Sequence, residues 1–326
     1  MQTAAYPHET GTDISVIMVS YNTASLLPEA MAALHGAVGN LAVQTIIVDN
    51  ASRDDSVALI HREYADCSLL ENKVNVGFGR ANNQALPLIA ARYVLLLNTD
   101  AFVAPDTLHQ TVAYMDAHPE CGALGVKLVG KDGVLQPSCR YFPTPLNIFL
   151  RRIGLHRLFP WVSMVDDLEW DHASARACDW VPGCYLLIRR EAVEQVGLFD
   201  PRYFLYYEEV DWCFAAKKAG WQIHYFPDTT VVHIGGESAK SDSEITAGGH
   251  QIEVLQIESE LLYFRKNHGW AVVLLNVILH TFADFIIPFK QLIKTRKNPE
   301  WAAYCKHAGL YWELMRSTSL GLNPTR

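Results

Sequence analysis

The sequence predicts an α/β fold with a mostly parallel sheet, and three observations carry that expectation. Apolar runs of strand length recur and stop at small polar residues, stretches of helical period separate them, and half of the 326 residues are hydrophobic, ample for one large core or two smaller ones. The clearest run is Tyr93-Val-Leu-Leu-Leu-Asn-Thr-Asp100, where branched apolar side chains give way to Asn98, Thr99 and Asp100. A strand buried on both faces has this composition, and open α/β sheets bind ligands at the carboxyl edge where such a strand ends. Asp100 then has two readings. It caps a turn before Pro105, or it holds Mg²⁺ or Mn²⁺ against a diphosphate, because these cations take oxygen ligands and share them with substrate phosphate.

Taken in order, the chain opens with Ile14–Ser20, a buried strand broken by Tyr21-Asn-Thr23 before Leu26, Leu27, Ala30, Met31 and Leu34 set a helical period. A second strand, Val43–Asp49, ends in Asp49-Asn-Ala-Ser52, and Ser52 or Asp54 is placed to cap a helix running to about Tyr64. Residues 67–71 form a short third strand. Asn75-Val-Gly-Phe-Gly-Arg-Ala-Asn-Asn83 then enters a helix expected to reach about Ala91. Gly77 and Gly79 let backbone approach a ligand and Arg80 is a candidate phosphate contact, although Asn82 breaks the G-x-G-x-x-G dinucleotide fingerprint. Beyond Asp100 we expect a helix over 106–118, a strand over 123–129 and a hairpin turn at Lys131-Asp-Gly133.

Residues 140–176 show little periodicity and read as a long functional or mobile loop. A strand over 180–190 and a helix to about Val196 follow, and residues 197–213 hold the densest cluster of aromatic and acidic side chains. A helix is expected from about Glu208 to Gly220, a good residue for the position after a helix end. Glu208, Glu209 and Asp211 either complement the helix dipole as first-turn acids or, following a largely aromatic run, have raised pKa values suited to general-base work. Which of the three is the base stays open. Strands over 222–226 and 229–234 deliver His233 beside Gly235-Gly236, as a hydrogen-bonded structural residue or as a ligand for a cation such as Mn²⁺.

A net charge of −8, with no long basic cluster before residue 290, argues against nucleic-acid binding, which needs grouped Lys and Arg to neutralise phosphates. The seven cysteines are odd in number and contain no C-x-x-C pair, which fits reduced thiols rather than a disulfide frame. Residues 1–11 are polar and lack a signal-like apolar segment, so the expected location is the cytosol or the cytosolic face of the inner membrane.

Assembled, these pieces resemble the inverting family 2 glycosyltransferases of the GT-A fold, especially the bacterial rhamnosyltransferase-like branch. The resemblance rests on Val19-Ser-Tyr-Asn22, Val48-Asp-Asn-Ala-Ser52, Asn75-Val-Gly-Phe78 with Asn82-Asn83, Leu97-Asn-Thr-Asp100, residues 183–190, Gly197-Leu-Phe-Asp200, Glu208-Glu-Val-Asp211, Gly220-Trp221 and His233, over about residues 13–238. It implies a nucleotide-diphospho-sugar donor, with Ser20, Tyr21, Asn22, Asp49 and Asn50 around base and ribose and Phe78, Arg80, Asn82, Asn98 and Thr99 completing the donor side. Asp100 corresponds to the final acid of the family's D-x-D motif, whose first Asp is Asn98 here; the metal then rests on Asp100, donor phosphates and His233. The family's acid pair matches Glu208-Glu209, which makes Glu209 the base, with Asp211 as the alternative. Trp180, Gly183, Tyr207 and Trp212 are placed on the acceptor side.

The resemblance implies one-step transfer of a sugar, L-rhamnose from a dTDP donor, to a glycan or lipid-linked glycan in cell-surface polysaccharide synthesis. A UDP-hexose enzyme and a non-catalytic nucleotide-sugar-binding module are the alternatives. The expected organisation is a tail over 1–12, a catalytic domain over 13–250 divided near residue 130 into donor and acceptor halves, and a helical extension over 251–326. Within the extension, Asn276, His280 and Asp284 recur every four residues and are expected to form one polar face of an amphipathic helix. Trp270, Val273, Leu274, Val277, Ile278 and Phe285 lie away from that face, and Lys290, Lys294, Arg296 and Lys297 follow. The helix is expected either to dock on the catalytic domain, as packing or as a homodimer interface, or to lie on an anionic membrane surface.

Overall fold

The computed structural model describes residues 11–168, 170–235 and 250–326. The tail expected over 1–12 lies largely outside these, as do Gly236 and the expected boundary near 250. Four strands, β1 (Ile14–Ser20), β2 (Val43–Asp49), β3 (Ser68–Glu71) and β4 (Tyr93–Leu97), pair in parallel in the order β3-β2-β1-β4. Every residue of β4 is buried and its side chains alternate between two cores: Tyr93, Leu95 and Leu97 enter one, Val94 and Leu96 the other. That is why its sequence is a continuous apolar run rather than an alternating one.

The helices α1 (Leu27–Ala37) and α2 (Ser56–Glu63) alternate with these strands as expected, but Asp54 and not Ser52 serves the start of α2, accepting from Ser56 N at 3.0 Å. The next helix, α3 (Phe78–Gln84), stops well short of Ala91, since Pro87 lacks the N–H a longer helix needs and a 3₁₀ turn follows. After β5 (Ala101–Val103) and α4 (Thr107–Ala117), strands β6 (Cys121–Val129) and β7 (Leu135–Gln136) form the expected hairpin. The supposed loop over 140–176 holds a helix, α5 (Pro145–Arg152), fixed by a reciprocal cap in which Asn147 N donates to Thr144 Oγ1 at 3.1 Å and Thr144 N to Asn147 Oδ1 at 2.8 Å.

After β8 (Arg176–Cys178), the strand expected over 180–190 shortens to β9 (Tyr185–Arg189), because Pro182 and Gly183 interrupt it. β9 runs antiparallel between β4 and β6 and so joins the first parallel block to a second, β6 with β10 (Gln222–His233). The two strands expected over 222–234 are thus one, with an irregularity between Phe226 and Thr230 where Pro227 falls. The helices α6 (Arg190–Val196) and α7 (Glu208–Lys218) flank the sheet, and Gly220 after α7 has φ of 100°.

The three C-terminal helices are α8 (His250–His268), α9 (Trp270–Thr295) and α10 (Trp301–Ser317), and they close the core on the α7 side through Leu261, Phe264, Val273, Val277 and Leu314. The polar face of α9 turns inward. Asn276, His280 and Asp284 are buried together with Val273 and Val277, and the apolar face that carries Phe282, Phe285, Phe289 and Ile293 is exposed. Partners from three helices make the burial tolerable. Arg152 on α5 donates to His280 Nδ1 at 2.8 Å and to Asp284 Oδ1 at 2.7 Å, His307 Nδ1 donates to Asp284 Oδ2 at 2.6 Å, and Asn276 Nδ2 donates to Glu260 Oε1 at 2.7 Å.

Removing Arg152 leaves a buried carboxylate and imidazole short of partners, so Arg152→Ala should lower stability by roughly 3 kcal/mol in urea titration. Arg152→Met combined with Asp284→Leu should recover most of that loss. A single variant as stable as the parent chain contradicts this account of why α9 turns its polar face inward.

Candidate active site

The carboxyl ends of β1 and β2 sit side by side because Ser20 is paired with Asp49. Hydrogen bonds then lock the two following loops together: Asn50 N donates to Ser20 O at 2.7 Å, Asn22 N to Ser52 Oγ at 2.9 Å, and Arg53 N to Asn22 Oδ1 at 2.7 Å. The loops open onto a cleft of about 280 Å³. Of the residues singled out in the sequence, Tyr21, Asn50, Phe78, Asn98, Thr99, Asp100, Gly183, Glu208, Glu209 and His233 line it.

Asp100 and His233 meet because β5 pairs with β10, setting His233 opposite Ala101. Gln136 Nε2 donates to the His233 carbonyl at 2.9 Å, which leaves Gln136 Oε1 to accept from His233 Nδ1–H, also at 2.9 Å. Nε2 therefore keeps its lone pair, and it lies 3.6 Å from Asp100 Oδ1. Burial holds the His233 pKa below its ordinary value despite the nearby carboxylate, so the ring is neutral near pH 7. A carboxylate oxygen facing a neutral imidazole nitrogen fits a divalent cation whose remaining ligands come from a diphosphate. Among the described residues no cluster of three His, Cys, Asp or Glu makes a self-sufficient metal site.

On the opposite wall, α7 begins from an unusual turn. Tyr206 and Tyr207 have φ of 71° and 67°, a left-handed conformation that bulky side chains rarely adopt. The turn brings Glu208 and Glu209 into the cleft, where each leaves Oε2 buried without a partner among the described residues. Burial raises the pKa of both, and repulsion from Glu209 raises that of Glu208 further.

Two more cavities flank the cleft. One shares Tyr21, Asn75 and Phe204 with it and adds Ser52, Arg53, Asn72 and Lys73. The other, about 480 Å³, shares only Tyr206 and Glu209 and adds Arg140, Trp180, Tyr207 and residues of α8 and α10. Glu209 stands at the junction of the cleft with the second of these cavities.

Several expected site residues stand elsewhere. Asp211 is turned away and held by Lys266 at 2.6 Å and Asn267 at 2.8 Å, which removes it from the candidate bases. Trp212 donates to the Gly197 carbonyl at 2.9 Å inside the core, and Trp180 and Tyr207 face the second cavity rather than the cleft. Arg80 is committed to the Pro201 carbonyl at 2.6 Å, and Asn82 folds back on the Phe78 carbonyl at 2.9 Å. Ser20, Asn22 and Asp49 shape the loops without lining the cleft, although Asp49 Oδ2 is buried with no partner among the described residues. Asn75, Phe204 and Tyr206 line the cleft and were not singled out. Asn75 lay within a quoted motif, but nothing local in the sequence marks a tyrosine for positive φ.

A model of the family described as Glycosyl transferase family 2 matches residues 15–197. The chain is 29% identical over 279 residues to an N-acetylglucosaminyl-diphospho-decaprenol L-rhamnosyltransferase of Mycobacterium tuberculosis, covering 79% of this chain and 87% of that one. It is 26% identical over 210 residues to Rhamnosyltransferase WbbL of Escherichia coli, covering 60% and 74%. Among solved structures it resembles mannosyltransferase PcManGT from Pyrobaculum calidifontis in complex with GDP-Man and Mn²⁺, with a TM-score of 0.53, 17% identity, and coverage of 98% and 91%. The fold is accordingly GT-A, and the chain belongs to glycosyl transferase family 2.

Proposed function

We propose that this glycosyltransferase moves L-rhamnose from dTDP-rhamnose, with inversion, onto a hydroxyl of a lipid-linked glycan such as an N-acetylglucosaminyl-diphospho-polyprenol. The observation that carries the reading is the position of Glu209 at the junction of two cavities, one able to hold a donor and the other an acceptor. The choice of rhamnose is supported by the two rhamnosyltransferase relatives, and that of a lipid-diphosphate acceptor by the Mycobacterium tuberculosis one alone. The dTDP carrier follows from the motif resemblance.

In this reading the ionised Glu209 accepts the proton of the acceptor hydroxyl as that oxygen attacks the anomeric carbon, and the bond to the nucleoside diphosphate breaks in the same step. Displacement from the opposite face inverts the centre. Asp100 and the lone pair of His233 Nε2 would hold Mg²⁺ or Mn²⁺, which supplies neutralising charge for the departing diphosphate. Asn50, Thr99 and Asn98 offer polar groups to the donor.

The lipid-linked acceptor gives the exposed face of α9 a use. Phe282, Phe285, Phe289 and Ile293 are 56%, 62%, 44% and 78% exposed, and Lys294, Arg296 and Lys297 follow them at the surface. Lys290, expected in this basic group, instead donates to the Ile153 carbonyl at the end of α5. The remaining three contribute roughly 1 kcal/mol each at an anionic surface. By length and composition α9 passes for a membrane-crossing helix, but its polar face is committed to Glu260, Arg152 and His307, so we assign it to the interface plane.

Glu209→Gln should keep donor affinity within about twofold while kcat falls on the order of 10²–10⁴, because the amide cannot take the proton. The base must be ionised, so kcat should rise with pH through the raised Glu209 pKa and be lost below it. A limb at the unperturbed value of about 4.3, or one that survives in Glu209→Gln, contradicts the assignment.

Asp100→Ala should retain its circular dichroism spectrum and lose both transfer and Mn²⁺-dependent thermal stabilisation by the nucleoside diphosphate. Full activity of that variant disproves the metal assignment.

Sedimentation with anionic vesicles should decline with added salt and in Phe285→Glu/Phe289→Glu. If the chain ignores such vesicles at low salt and elutes as a dimer, the face is an oligomer interface instead.

A further inference from the structure

Sugar transfer as derived above uses none of the seven cysteines, yet two of them meet inside the core. Arg176 and Cys178 are two positions apart on β8, so their side chains share one face of the strand. On that face Arg176 Nε donates to Cys139 Sγ at 3.3 Å, and the Cys178 thiol hydrogen-bonds with the same sulfur. We propose that Cys139 and Cys178 are a reversible redox pair, in which a hydroperoxide oxidises Cys139 and Cys178 then closes an intramolecular disulfide.

The pair combines an activated thiol with a resolving one. Burial by itself raises a thiol's pKa and makes it inert, and it pushes Cys121 and Cys184 up to about 12. Cys139 is 1% exposed and behaves differently. The hydrogen bond from Cys178, aided by the Arg176 guanidinium, outweighs burial and holds Cys139 down to about 7, so thiolate is populated near neutral pH. Cys178 keeps its proton, its pKa raised by the same hydrogen bond and by burial. The cover over Cys139 is thin. Arg176 lies 3.8 Å from the centre of the Trp170 ring and binds Asp167 at 2.6 Å, but its own side chain is 31% exposed. Outward movement of that side chain opens the sulfur to a small oxidant.

The Cys139 thiolate attacks one oxygen of the hydroperoxide and breaks the O–O bond, leaving a sulfenic acid, while the departing oxygen takes a proton as water or an alcohol. The Cys178 sulfur then attacks the sulfenic sulfur: the S–S bond forms, the S–O bond breaks, and hydroxide leaves with the Cys178 proton as water. Two thiols lose two electrons and the peroxide gains them. The fold is arranged for this closure, because backbone bonds already hold the neighbouring residues together. Asp179 N and Trp180 N donate to the Arg140 carbonyl at 2.9 and 3.2 Å, and Arg140 N donates to the Trp180 carbonyl at 3.2 Å. The new bond makes that contact covalent and closes the segment containing α5 into a loop.

The test uses the full chain, reduced with dithiothreitol, freed of reductant and treated with hydrogen peroxide under native conditions. Peptide mapping after alkylation should find Cys139 joined to Cys178, and dithiothreitol should return both thiols. Cys178→Ser should leave a sulfenic acid at Cys139 that dimedone traps, whereas Cys305→Ser, at the exposed cysteine, should form the bridge as the parent does. Arg176→Met should slow bridge formation about tenfold, since it removes the cation beside the thiolate. Oxidation confined to Cys305, a bridge that forms only in urea, or one that forms as fast in a folded Arg176→Met chain overturns the proposal.

Discussion

The turn at Tyr206-Tyr207 is the constraint on which the site depends. Two consecutive tyrosines in the left-handed region cost roughly 1–3 kcal/mol each and persist only where surrounding contacts over-determine them. Those contacts come from both ends of the chain. Phe78 N donates to the Phe204 carbonyl at 2.8 Å from the donor side, Ser259 Oγ donates to the Leu205 carbonyl at 2.8 Å, and Glu260 accepts from Tyr207. Gly77 is required beside this turn, since its φ is 87° and a Cβ would collide with the Phe204 backbone. Donor loop, acid-bearing helix and C-terminal helices thus converge on residues 204–207.

A second pairing organises the opposite wall. Three residues of β5 and the end of β10 bring together side chains 133 positions apart, and the Gln136 amide, itself oriented by the His233 carbonyl, fixes which imidazole nitrogen faces Asp100. Backbone register places both groups, and one hydrogen bond sets the chemistry of the nitrogen.

The parts of the fold legible in the sequence were those decided locally. β4 declares itself because burial on both faces leaves no place for polar residues, β1 and β2 are marked by their apolar runs, and the polar ends of all three mark the cleft. Glu208-Glu209 and Asp100 were legible as acids at element ends. What stayed hidden depends on distant partners. Asp211 resembles its neighbours until Lys266 and Asn267 claim it, and Arg80 looks like a phosphate ligand until the Pro201 carbonyl claims it. α9 is the sharpest case, because spacing by four reveals that Asn276, His280 and Asp284 share a face but not whether that face meets water or Glu260, Arg152 and His307. α5 was the exception: Thr144-Pro-Leu-Asn147 is a local cap signal that the aperiodic surroundings obscured.

The inward polar face of α9 has a consequence for the order in which the chain becomes a working protein. During synthesis Arg152 and Glu260 precede α9, whereas His307 and Tyr311 emerge only afterwards. Until α10 docks, Asp284 and Glu260 lack part of their satisfaction and the core facing α7 is uncovered. α10, made after α9, therefore acts as a closing piece for this core, and the acids of α8 and α9 wait on it for part of their hydrogen bonding.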